Sequence, residues 1–171
     1  MSSPKIRLCS ESDLDTAFSL LNDSANWLAS KGMDHWKGTI DKNKLASKIS
    51  EKELYLLSLD SGIIGTIIIS KSAPAYCDSV SSFWKNPSAS FYYISKLAIH
   101  PDFHKNGYAS FLLEFAHSLA LKNKIEFLRL DCVSNYSSLN EFYKKRGYVF
   151  VGSRNLYSPG PHCNFYEKKV N

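Results

Sequence analysis

The sequence predicts a mixed α/β fold, in which a mostly antiparallel central sheet is flanked by helices within a single domain covering residues 1–171. Three observations carry this expectation. Helical and strand-like patterns alternate early in the chain. A late pair of strand patterns surrounds a Ser-Pro-Gly-Pro turn and reads as a hairpin. Between them, from Phe91 to Gly147, come a strand, a glycine-containing turn, an amphipathic helix, a second strand and a short helix.

In chain order, Lys5–Cys9 reads as a short strand. Ser10 with Asp13 makes a capping-box pattern for a helix whose apolar residues Leu14, Ala17, Phe18, Leu21, Ala25 and Leu28 follow helical spacing, with Gly32 as its stop. Asp41 is placed to cap a shorter helix through Leu45 and Ile49. Glu53–Leu59 and Ile63–Ser70 read as strands joined at Asp60-Ser61-Gly62, a hairpin signal. The stretch 72–90, serine-rich and holding Pro74 and Pro87, reads as a long irregular surface loop. A helix from Tyr108 places Ala109, Leu112, Leu113, Ala116, Leu119 and Ala120 on one stripe, with Glu114, His117 and Lys122 outside it. Ile125–Val133 is the next strand, and Ser138 with Glu141 makes a second capping-box pattern for a helix ending at Gly147. Tyr148–Arg154 and Cys163–Lys168 close the sheet across Ser158-Pro159-Gly160-Pro161.

Bulk properties narrow the function. A chain of 171 residues suffices for one real core, and 44% hydrophobic with 22% charged residues is ordinary for a globular protein. Its longest apolar run, near Ile63–Ile69, is far from the roughly 20 residues that span a bilayer. The N-terminal residues lack an apolar signal core, so the expectation is a cytoplasmic protein with no membrane partner. Cys9, Cys77, Cys132 and Cys163 form no C-x-x-C pair, which argues against a metal site and disulfides; Cys132, in an apolar strand, reads as core. The net charge of +5 comes from basic residues spread along the chain. Nucleic-acid binding usually concentrates charge in a stripe, whereas a modest positive field suits an anionic cofactor, so no nucleic-acid partner is expected.

The turn His104-Lys105-Asn106-Gly107-Tyr108-Ala109 holds the chemistry. A helix start exposes N–H groups without partners inside the helix, and its dipole places partial positive charge there. A glycine just before it admits a ligand close to the backbone, which suits phosphates. Taken alone, Gly107 reads more simply as relief for a tight strand-to-helix connection. No Gly-Lys-Ser/Thr follows, and the three glycines of a dinucleotide fingerprint are missing.

LAIHPDFHKNGYASFLLEFA resembles the acetyl-CoA-binding motif of the GNAT superfamily of N-acetyltransferases: an aliphatic strand, a Pro-Asp turn, and Arg/Gln-x-x-Gly-x-Gly/Ala opening a helix. LRLDCVSNYSSLNEFYKKRGYVFVG is similar to the second half of that fold, whose helix ends in Tyr-x-x-x-Gly-Phe/Tyr, here Tyr143 to Tyr148. IRLCSESDLDTAFSLLNDSANWLASKGMDHW matches its opening strand and helix more weakly, so the resemblance spans nearly the whole chain.

The resemblance implies an acetyl-CoA-dependent N-acetyltransferase that acts on a primary amine by direct transfer in a ternary complex. A non-catalytic acyl-CoA sensor of the same fold is the alternative. It implies that the backbones of Leu97 and Ile99 pair with the pantetheine arm, and that an N–H near Leu97 or Ala98 polarises the thioester carbonyl. Amides from Lys105 through Asn106, Gly107 and Tyr108 to Ala109 would hold the pyrophosphate. Tyr143 takes the place of the general acid. His104 stands where the pattern has Arg or Gln, and Tyr136 where many relatives carry a CoA-contacting Asn, with Asn135 one residue earlier. The acceptor, a small amine or a protein amino group, is expected against Trp27, Asp34, His35, Trp36, Trp84 and Tyr157. His35 and His162 are candidate bases. The resemblance leaves a homodimer open and implies no metal.

Overall fold

The computed structural model describes residues 3–156 and 160–171. Among the described residues the seven strands are β1 (Lys5–Leu8), β2 (Leu54–Leu59), β3 (Gly62–Ser70), β4 (Phe91–Ile99), β5 (Phe127–Val133), β6 (Val149–Asn155) and β7 (His162–Lys169). They form one mostly antiparallel sheet in the order β1-β2-β3-β4-β5-β7-β6, with helices flanking it. The helices are α1 (Leu14–Ser30), α2 (Lys42–Ser50), α3 (Tyr108–Lys122) and α4 (Ser137–Lys144). Contacts divide the chain into two compact units. One comprises the chain up to Ile69 with Lys96–Phe115; the other comprises Ser70–Ser95 with the chain from Ala116 onward.

In the first unit, β1 pairs antiparallel with β2, and β2 with β3. The expected capping box is present: Asp13 accepts from the Ser10 N–H at 2.9 Å, and Arg7 grips the same carboxylate at 2.6 and 2.9 Å. These bonds hold the Asp13 carboxyl well below the usual carboxylate range. At the other end of α1, the N–H groups of Gly32 and Met33 bond the carbonyls of Ala29 and Leu28, with Gly32 at φ 80°. Asp41 caps α2 by accepting from the N–H groups of Asn43 and Lys44. Ala17, Leu20 and Leu21 of α1 pack with Leu45 and Ile49 of α2 on Leu54, Leu56, Ile68 and Ala98, forming the apolar core of this unit.

The second half of β4 belongs to this unit and departs from regular strand geometry. Lys96 has φ 48°, the left-handed conformation that marks a bulge in a strand. Beyond it the strand resumes against β3, where the His100 N–H donates to the Ile64 carbonyl at 2.8 Å. A Cβ at Gly65 would stand 2.7 Å from Ile99 Cδ1 and 3.0 Å from the Ala98 carbonyl, so the close approach of the two backbones requires glycine there.

In the second unit, β4 pairs in parallel with β5 at Phe91–Tyr93, while β5 and β6 both pair antiparallel with β7. The stretch 72–90 differs from the expected loop. Ala75–Phe83 is 3-10 helical, and Cys77, Val80 and Trp84 are buried with Tyr93, Val133, Cys163 and Phe165. Its anchor is Arg129, only 1% exposed. That guanidinium lies 4.8 Å from the Trp84 ring, 4.6 Å from Phe91 and 5.6 Å from Phe127, and Nη2 donates to the Asn86 carbonyl at 2.6 Å. Glu167 lies 3.5 Å from Nε and accepts from the Lys85 N–H at 2.9 Å.

The second expected capping box does not form. Helix α4 begins at Ser137 with Tyr136 as its N-cap and no side-chain cap bond, and Glu141 pairs instead with Lys144 at 2.9 Å. The helix is held by Asn140, whose Oδ1 accepts from Tyr166 and Asn164 while Nδ2 donates to the Val133 and Tyr136 carbonyls.

Candidate functional site

The turn expected to bind phosphate lies wholly in the first unit, between the end of β4 and the start of α3. Pro101–Phe103 forms one 3-10 turn, after which Lys105 at φ 65° and Gly107 at φ 83° both adopt left-handed backbone. Alternation of left- and right-handed residues turns successive N–H groups toward a common concavity, a geometry that receives anions. Asn106 braces the turn, its Nδ2 donating to the carbonyls of Phe103 and His104 at 3.2 Å each. The Phe111 N–H donates to the Gly107 carbonyl at 3.0 Å, so the amides before it precede the first helical bond. Lys105, Asn106 and Gly107 are exposed, and a Cβ on Gly107 would meet no atom within 4 Å.

His104 is a pin. Its Nε2 donates to the Ile99 carbonyl at 2.8 Å, and its ring stands edge-on to Trp27 of α1 at 4.6 Å between centroids. Sequence reasoning missed this role, because the partner is a backbone carbonyl five residues upstream. The pin also brings Trp27, expected at the acceptor, to the back of the phosphate turn.

The β4 segment alternates as a ligand edge requires. The carbonyl of Lys96 accepts from Thr66 Oγ1 at 2.9 Å, the Ala98 carbonyl approaches Gly65, and the His100 N–H bonds Ile64, so 96, 98 and 100 face β3. Leu97 and Ile99 therefore direct their backbone groups away from β3. Ala98 and Ile99 are buried and Leu97 is half-buried.

Of the expected acceptor residues, His35 and Trp36 stand together, with their rings edge-on at 6.3 Å. Lys96 joins them, its Nζ 4.8 Å from the Trp36 centroid. Burial, aided by the Lys96 charge, pulls the His35 pKa down, so the imidazole is neutral at pH 7. Asp34 is exposed beside them.

In the second unit, Tyr143 is 6% exposed, 5.8 Å from the Tyr148 ring and 6.2 Å from Tyr166. Burial drives its phenol well above the usual value, so the group stays protonated through the neutral range. Asn135 is exposed just before α4. Trp84 packs in the core against Arg129 and does not line a surface. Tyr157 lies outside the described residues.

Comparison with known proteins decides the family. The model of the acetyltransferase (GNAT) domain matches residues 50–150, more than half of the chain. The chain belongs to the GNAT acetyltransferase family. Within that family it is 23% identical over 145 residues to the uncharacterized N-acetyltransferase YesJ of Bacillus subtilis, covering 82% of this chain and 79% of that one. A GNAT family acetyltransferase from Listeria monocytogenes superposes with a TM-score of 0.80 at 22% identity, over 99% of this chain and 98% of that one. PaiA N-acetyltransferase from Thermoplasma acidophilum, solved in complex with coenzyme A, superposes with a TM-score of 0.73 at 22% identity, over 98% and 99%. As in other GNAT chains, the fold is a mixed sheet flanked by helices; no helix among the described residues is long and apolar enough to cross a membrane.

Proposed function

We propose that this protein transfers the acetyl group of acetyl-CoA to a primary amine by direct attack within a ternary complex. The observation that carries the reading is the turn from Lys105 to Ala109. It combines two left-handed residues, a braced backbone and open space at Gly107, immediately before the positive end of a helix of 15 residues. A pyrophosphate satisfies those amides. The coenzyme A complex of the Thermoplasma acidophilum relative supports the choice of ligand.

The pantetheine arm, with its two amides, adds to the edge formed by Leu97 and Ile99 as a pseudo-strand. Because His104 takes the Ile99 carbonyl, that edge presents the Leu97 N–H and C=O and the Ile99 N–H. Ala98 faces β3, so the Leu97 N–H is the donor assigned to polarise the thioester carbonyl. His104 supplies no side-chain charge to phosphate; its work is to fix the loop, and Lys105 supplies the local cation. Tyr143, protonated by virtue of burial, donates to the departing thiolate. Asn135 contributes to the cofactor side, while His35 and Trp36 with Asp34 form one wall of the acceptor site. The cytoplasm, with its reducing pool, suits four free buried cysteines.

The test is release of coenzyme A from acetyl-CoA in the presence of tyramine, cadaverine, glucosamine or a lysine-containing peptide. Tyr143→Phe should lower turnover by about 10²–10⁴-fold while leaving coenzyme A affinity intact. Thermal stabilisation by acetyl-CoA without release from any amine would establish a sensor and end the transferase reading.

A further inference from the structure

Asp131 of β5 sits at the centre of a cluster that the donor-binding residues leave unused. Its Oδ1 accepts from two phenols: Tyr93 of β4, and Tyr76 of the 3-10 segment at 3.0 Å. The Cys77 thiol donates to the Tyr93 oxygen at 3.3 Å, and the Cys163 thiol of β7 reaches the Asp131 carboxylate. Tyr93, Cys77 and Cys163 are 1%, 3% and 2% exposed, whereas Asp131 and Tyr76 are half-buried, so the cluster opens to solvent along those two side chains.

The groups that face Asp131 from the 3-10 segment, β4 and β7 include phenols and thiols. The 3-10 segment offers Tyr76 and Cys77, β4 offers Tyr93, and β7 offers Cys163; on β5 itself the neighbour is Cys132. Burial holds both phenols far up and the thiols of Cys77, Cys132 and Cys163 at about 12. These phenols and thiols are therefore neutral at pH 7, and the carboxylate among them is able to accept a proton. Phenol hydrogen bonds stabilise its ionised form, and the low-dielectric surroundings strengthen its attraction for a cation. Its field also reaches Tyr143 of α4, where it is one of the influences that keep the phenol protonated. A phenol held protonated and a carboxylate thus lie in one unit, the chemistry of an acid and a base.

We propose that Asp131, clamped by Tyr76 and Tyr93, binds the ammonium of the acceptor and removes its proton, serving as the base that complements Tyr143. This rests on the transferase reading above. The ammonium R–NH3⁺ passes one proton to the carboxylate, giving R–NH2 and the neutral acid. The amine lone pair forms the N–C bond at the thioester carbonyl, and the tetrahedral intermediate breaks its C–S bond with the electron pair leaving on sulfur. The thiolate takes the Tyr143 proton, the phenolate takes the surplus proton of the new amide, and Asp131 returns its proton to water.

Initial rates of coenzyme A release with tyramine and with cadaverine, measured from pH 3 to 9, test this together with the acetyl-CoA-induced rise in melting temperature. Asp131→Asn should lower kcat/KM by about 10²–10⁴-fold and abolish the acidic limb of the profile, with the acetyl-CoA stabilisation retained. Tyr76→Phe removes one donor to the ionised carboxylate, so the acidic limb should move to higher pH. Asp131→Asn within threefold of the parent, with an unchanged limb, would overturn the assignment while leaving the transferase reading in place. If Asp131→Asn does not fold, Tyr76→Phe decides: an unmoved limb overturns the role, and a raised limb supports it. If the parent protein releases no coenzyme A with either probe, the transferase reading fails and this role with it.

Discussion

Arg129 offers a quantitative test of how the second unit is held together. Arg129→Met keeps most of the side-chain volume inside the Trp84, Phe91 and Phe127 rings but removes the charge opposite Glu167. At 1% and 5% side-chain exposure, neither partner has water to fall back on. Removing one member of such a pair costs about 3–5 kcal/mol, because the other is left buried and uncompensated. The lost charge-assisted bond to the Asn86 carbonyl lies within that range. For a chain of this size, about 2–4 °C per kcal/mol converts the loss into a melting-temperature drop of roughly 6–20 °C. Adding Glu167→Gln should recover at least about half of it, since the amide oxygen still accepts from the Lys85 N–H and the stranded charge is gone. Calorimetric melts of the parent, single and double variants decide the matter. A single variant within about 1 kcal/mol of the parent, or a double variant no better than the single, refutes the reasoning.

Local geometry supports further predictions at the phosphate turn and at the start of α1. Gly107→Ala should cost about 1–2 kcal/mol, since the left-handed backbone strains any side chain while no neighbour obstructs the methyl. Gly107→Glu should melt at a similar temperature yet lose coenzyme A binding in isothermal titration, because its charge opposes the phosphates; equal affinity would remove the turn from the donor site. Asp13→Asn should destabilise the chain at neutral pH through loss of the Arg7 and Ser10 bonds. A carboxylate held below its usual range contributes above about pH 4 and loses that contribution as pH falls further. Urea melts at pH 7 and pH 2.5 should therefore show the gap closing, and a constant gap would sink the idea.

Features written in local spacing are legible in the amino-acid sequence itself. The capping box at Ser10 and Asp13, the cap at Asp41, the stop at Gly32 and the turn leading into α3 each involve residues within a few positions of one another. What depends on distant partners is not legible there. Nothing in FYYISKLAIH announces the left-handed backbone at Lys96. Ala75–Phe83 shows no helical period because 3-10 turns are short, so neither its helical turns nor its burial can be read from its residues. Arg129 in LRLDCV reads as an exposed position of an alternating strand until its three rings and Glu167 come from elsewhere in the chain. Ser138 and Glu141 have the right spacing for a cap, yet α4 starts at Ser137 and places Ser138 inside the helix. Asn140 and Asp131 carry no sequence signature, since each draws its partners from several separate elements.

All four cysteines are buried, with Cys9 pushed up to about 11 and the others to about 12. Sulfur chemistry needs thiolate, which these side chains withhold in neutral buffer. A chromogenic disulfide reporter added to a reaction mixture should accordingly register liberated pantetheine thiol against a quiet protein background. A single cysteine introduced on the exposed face of α3, at Glu114 for instance, would take a fluorophore selectively without the native four first being replaced.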